Sequence, residues 1–125
     1  MIERGDLIVA IEVPARIEGR ASHYLKVRDR QSYEFALVSA AVALSVAGKR
    51  IESARLAMGG VAHKPWRLRT AEAELRGISL NETDKLKSAI GSSFTEARPL
   101  THNAFKVELG QRVALRALQI AGARA

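Results

Sequence analysis

The chain contains no cysteine among its 125 residues. Disulfides, thiolate nucleophiles, thiolate zinc sites and iron–sulfur ligation by this chain are thereby excluded. Long apolar runs are also missing. The longest, Phe35 to Leu44, falls far short of the roughly 20 residues that a membrane-spanning helix needs. The first residues carry Glu3, Arg4 and Asp6 rather than an apolar signal region, so no membrane partner and a cytoplasmic location are expected. No G-x-G-x-x-G phosphate loop follows Gly59-Gly60, no H-x-x-x-H spacing links His23, His63 and His102, and no G-x-S-x-G elbow surrounds Ser92-Ser93. No metal site and no catalytic residue is therefore assigned.

Twenty Lys and Arg stand against thirteen Asp and Glu, a net charge of +7. A free-standing basic module for nucleic acid or another polyanion is the alternative reading that this charge supports. The bases are scattered and interleaved with acids, and no helix-turn-helix, zinc-finger or aromatic nucleic-acid motif is present. Solvated surface and subunit contacts account for such a distribution better than nucleic acid does.

With 47% hydrophobic residues, the length suits one core. Asp6 to Val13, an Ile/Val-rich run closed by Pro14, predicts a strand. Residues 14–22 read as a connection, and 23–28, with Tyr24 and Val27, as a second strand. The Ala-rich run 33–46 and the alternating run 50–58 flank Ala47-Gly48-Lys49 as a hairpin, although the Ala content of 36–43 also suits a helix. After Gly59-Gly60 the signals become helical. Pro65 opens a helix to about residue 76 with Trp66 as a buried anchor, and Asn81 caps a second helix with Leu86, Ala89, Ile90 and Phe94 on one face. A third carries Phe105, Leu109, Val113, Ala117 and Ile120. Strands followed by helices imply an α+β fold, a small antiparallel sheet of three to four strands packed with a three-helix cluster. Residues 1–20 form a leading strand and linker, and 21–125 the domain.

Three stretches, YLKVRDRQSYEFALVSAAVAL at 24–44, ARLAMGGVAHKPWRLRTAEAEL at 54–75 and ARPLTHNAFKVELGQRVALRAL at 97–118, resemble in order and spacing a known flavoprotein family. The family is the C-terminal domain of the FAD-binding medium subunit of molybdenum hydroxylases, the carbon monoxide, xanthine and aldehyde dehydrogenase group. GDLIVAIEVP at 5–14 resembles the strand leading into that domain.

The resemblance implies an oxidoreductase subunit with FAD as cofactor. Its partners would be the N-terminal FAD-binding subdomains, a molybdopterin large subunit and an iron–sulfur small subunit, which pass electrons to the flavin. It places Lys26 beside an electron-rich edge or phosphate of the flavin, Tyr33 beside the ring system, and Leu56, Met58, Gly59 and Gly60 on a strand end approaching the isoalloxazine. The bland alternatives are a charged strand end with a half-buried Tyr33, and a Gly-Gly turn with Leu56 and Met58 in the core. Without the upstream glycine-rich loops the isolated chain is expected to be non-catalytic and to hold FAD weakly at best, and its uncovered faces are expected to drive self-association.

Overall fold

The computed structural model describes residues 3–12 and 21–125. Its elements follow the order β1 (Ala21–Val27), β2 (Val38–Ala47), β3 (Arg50–Gly59), β4 (Trp66–Arg67), α1 (Arg69–Glu74), α2 (Thr83–Ser92) and α3 (Phe105–Gly122). The four strands form one antiparallel sheet in sequence order. The α+β expectation, with a small sheet and three helices, is what the chain adopts.

The hairpin owes its turn to Gly48, whose φ of 64° at the first of two loop residues matches a type II′ turn. The Ala-rich run 38–47 is a strand rather than a helix because both its neighbours pair with it along its length. Even-numbered residues Ala54, Leu56 and Met58 of β3 are buried, but past the register shift opposite Ser45/Val46 the buried residue is the odd-numbered Ile51. This is how a β-bulge inverts the alternation: one extra residue, here Glu52, opposes no partner.

One face of the sheet carries Val38, Ala40, Val42 and Leu44 of β2 with Leu56 and Met58 of β3, all buried against the helices. α3 lies across β2 and β1 and presents Gly110, Val113, Ala114, Ala117, Leu118 and Ala121 to the core. This stripe is rotated from the expected one, and Phe105 is exposed. The small residues decide the rotation, since they let the helix backbone approach the sheet closely. A Cβ on Gly110 would stand 2.9 Å from the Phe94 ring.

Four local expectations are corrected. Residues 6–12 form no strand and lie exposed, because no described segment pairs with them; Val13 and the expected linker 14–20 lie outside the described residues. Residues 21–22 belong to β1 rather than to the connection. Pro65 does not open a helix: Trp66 and Arg67 pair with Met58 and Ala57 as a fourth strand, and α1 begins only at Arg69. Proline's fixed φ and missing N–H suit a short edge strand as well as a helix start. The residue flanking α2 is Glu82 rather than Asn81, and its carboxylate accepts from the Ser79 N–H at 3.0 Å. No helix among the described residues is long and apolar enough to cross a membrane.

Candidate functional site

The sheet register brings two of the six candidate positions, Lys26 and Gly59, to one end, and Gly60 follows Gly59 directly. Lys26 of β1 pairs with Ser39 of β2, which pairs with Gly59 of β3, so the three form one row across the strands. Neighbouring strands lie about 4.8 Å apart, which sets Lys26 and Gly59 roughly 10 Å from each other. Ser39 is the one buried polar residue among those described. A Cβ on Gly59 would lie 2.5 Å from its Oγ, so Gly59 leaves room for the Ser39 hydroxyl. Gly60 follows with φ 75°, and a Cβ there would meet the carbonyl oxygens of Leu37 at 2.8 Å and Ala36 at 3.2 Å.

Lys26 Nζ donates to the Glu34 carbonyl at 2.6 Å, and Arg30 Nη2 donates to the Tyr33 carbonyl at 2.7 Å. Glu34 gives its carboxylate to Arg30 at 3.1 Å, so the Lys26 ammonium has no carboxylate partner among the described residues and two of its three donors are unused. Tyr33 holds a left-handed φ of 48° and is 96% exposed, with Phe35 exposed beside it in sequence. Positive φ in a bulky non-glycine residue is uncommon and is sustained only where surrounding bonds hold it. The Arg30 and Lys26 bonds to this loop are such restraints.

The side chains of Leu56 and Met58 sit elsewhere. Both are buried on the helix-covered face, opposite the side to which Lys26 and Gly59 belong. Met58 instead forms part of the floor of a cleft that encloses about 240 Å³ between the end of β3, β4 and the α2–α3 connection. Gly60, Trp66, Leu68, Phe94, Arg98 and Lys106 line it too. Lys106 Nζ donates to the Gly60 carbonyl at 3.2 Å, tying α3 to the glycine turn. Gly60 thus joins the two regions, with Lys26 and Tyr33 on one side and the cleft on the other. Arg98 and Lys106 were not singled out from the sequence, and Phe94 only as part of a helix face, since nothing in their local pattern announces a wall shared with residues some 40 positions earlier.

β4 is fixed by a polar clamp. Arg67 donates to Glu72 through Nε at 2.8 Å and Nη2 at 2.6 Å, and Glu72 Oε1 also accepts from the Leu56 N–H at 2.8 Å. Burial favours the neutral acid at Glu72, but hydrogen bonds from Arg67 and the Leu56 N–H, with the charges of Arg67 and Arg55, outweigh it and hold the carboxyl below its ordinary range. The same hydrogen bond raises Arg67.

A flavin fits this arrangement only in part. The Lys26 ammonium suits an electron-rich ring edge or a phosphate, and the side-chain-free surface at Gly59 admits close approach. The described residues offer no glycine-rich phosphate loop, and the cleft is too small for a dinucleotide.

Residues 23–121 match the family described as the CO dehydrogenase flavoprotein C-terminal domain. The FAD-binding subunit of an Escherichia coli aldehyde oxidoreductase is 40% identical over 97% of this chain, which spans 34% of that subunit. The medium chain of a Sulfolobus acidocaldarius glyceraldehyde dehydrogenase is 35% identical over 77% of the chain, and the match spans 33% of that relative. Among solved structures, a Hydrogenophaga pseudoflava carbon monoxide dehydrogenase chain superposes with a TM-score of 0.79 and 26% identity, covering 90% of this chain and 40% of that one. A Pseudomonas putida quinoline 2-oxidoreductase chain shares the fold, with a TM-score of 0.76 over 92% of this chain and 40% of that one, at 24% identity. The chain thus spans about a third of the length of the curated relatives it matches.

Proposed function

Since the chain belongs to the CO dehydrogenase flavoprotein C-terminal domain family, we propose that it is the C-terminal part of an FAD-binding subunit in a molybdenum hydroxylase-type oxidoreductase. In that role it is scaffold and partial wall of the flavin site. The observation that carries this reading is 40% identity, across 97% of the chain, with an FAD-binding subunit. FAD, when bound, supplies the electron-accepting chemistry. The chain's own part is to orient it. Lys26 stabilises negative charge at the ring edge or a phosphate, the Tyr33 loop flanks the ring system, and Gly59 and Gly60 keep the strand end low enough for contact. Leu56 and Met58 support that strand end from the core. Upstream FAD-binding subdomains complete the site, and molybdopterin and iron–sulfur subunits deliver the electrons.

The test is complementation. The chain is titrated with FAD alone, and then together with the glycine-loop portion of an aldehyde oxidoreductase FAD-binding subunit deprived of its own C-terminal third. Retention of flavin by the pair but by neither part alone is expected, and weaker in Lys26→Met. Stoichiometric FAD binding by this chain alone, or no gain on mixing, would overturn the reading.

A further inference from the structure

The cleft beside Gly60 combines an apolar body with an excess of cationic donors. Trp66 and Phe94 supply aromatic surface, and Met58, Leu68 and Val107 complete the apolar part. Trp66 remains 45% exposed although large aromatics are usually well covered. Arg98 and Lys106 line the same cleft, and neither forms an ion pair among the described residues. Arg98 donates only to the Ala97 carbonyl at 3.2 Å, and Lys106 only to the Gly60 carbonyl.

Further donors are present. The Asn103 carbonyl oxygen accepts from the Leu100 N–H at 2.6 Å, which leaves its amide NH₂ unengaged. Ser93 Oγ accepts from the Ala71 N–H at 2.8 Å, which leaves its O–H able to donate. Glu96 is the single acidic residue in the lining, so two cations and one anion leave a local surplus of one positive charge. That surplus matches a monoanion.

Size narrows the occupant. A cavity of about 150 Å³ accommodates benzene, so the roughly 240 Å³ here suits one substituted ring and is too small for a fused tricycle with its side chain. We propose that this cleft binds a single-ring aromatic monocarboxylate, with its ring against Trp66 and Phe94 and its carboxylate held by Arg98 and Lys106. Planar guanidinium is suited to bidentate carboxylate contact, while the ammonium acts as a point charge. The site does not depend on the flavin reading, whose own test is the flavin complementation.

Benzoate is the probe, benzamide its neutral counterpart, and calorimetry with the emission of Trp66, the chain's single tryptophan, the readout. Saturable benzoate binding that changes Trp66 emission is expected, with affinity at least about tenfold above that for benzamide, the equivalent of one charge-assisted contact. Arg98→Met and Lys106→Met should each remove most of that preference, and Lys106→Arg should retain it. Arg98 is exposed, so its replacement tests the proposal even if Lys106→Met disturbs the Gly60 turn. No saturable heat, equal affinity for benzamide, or a preference that survives the loss of both cations would overturn it.

Discussion

Arg67 and Glu72 face each other in a two-pronged ion pair at 2.6 and 2.8 Å, and the same carboxylate receives the Leu56 N–H. One side chain thereby ties β4, α1 and the centre of β3 together. Because Glu72 sits below its ordinary range in the folded chain, its contribution is present above the unfolded carboxylate pKa and is lost as pH falls through the lower folded value. Glu72→Gln should lower stability at neutral pH by about 1.5–3 kcal/mol, the scale of a hydrogen bond to a charged group. The difference from wild type should shrink as acid protonates Glu72. Urea midpoints at neutral and acid pH measure it, and equal midpoints at neutral pH would count against the clamp.

Trp66 gives a smaller effect than its size suggests. A fully buried tryptophan would lose about 3 kcal/mol or more on truncation to alanine, but nearly half of this one is exposed. Trp66→Ala should therefore cost about 1 kcal/mol, read from a denaturation midpoint. A loss above about 3 kcal/mol would mean that the side chain is covered in solution.

Gly60 and Gly48 separate backbone strain from steric conflict. Both have positive φ, so alanine at either incurs about 1–2 kcal/mol of left-handed strain. Gly48 has nothing within 4 Å of the added carbon, whereas Gly60 has the Leu37 carbonyl at 2.8 Å. Gly60→Ala should be clearly the more destabilising, and equal melting temperatures for the two variants would sink this account.

Leu7, Val9 and Ile11 are all exposed in a segment that pairs with nothing described. Such a run presents apolar side chains and free backbone groups to a second chain. The net charge of +7 opposes contact, so association should strengthen as salt screens it. Light scattering across salt concentrations should show this, and replacing Leu7, Val9 and Ile11 by serine should abolish it. A monomeric mass at every concentration would refute it.

The parts of the fold that were legible in the sequence are those whose signals are local. Gly48 marked the hairpin, and Leu86, Ala89 and Ile90 at helical spacing marked the buried face of α2. The errors fell where a partner decides. Residues 6–13 have strand composition, but composition supplies no neighbour to bond with. Trp66 and Arg67 became a strand because Met58 and Ala57 offer free edge groups, a fact stored 8 to 10 positions away. The candidate site shows the same limit. The row from Lys26 to Gly59 follows from register, which no single stretch encodes, and the sequence could not say that Leu56 and Met58 turn their side chains to the opposite face. The cleft joins Met58 to Lys106 through tertiary packing alone.

The contact between Gly59 and Ser39 also constrains the order in which this protein can change. An alanine at 59 would drive its methyl group to 2.5 Å from the Ser39 hydroxyl, while the Ser39 Cβ stands 3.9 Å off. Removing the hydroxyl first makes the second step ordinary packing; in the reverse order the Ser39 side chain must rotate away to admit the methyl group. Positions 39 and 59 are therefore epistatic. In a library of random double substitutions, alanine at 59 should survive mainly in clones that already carry alanine or glycine at 39.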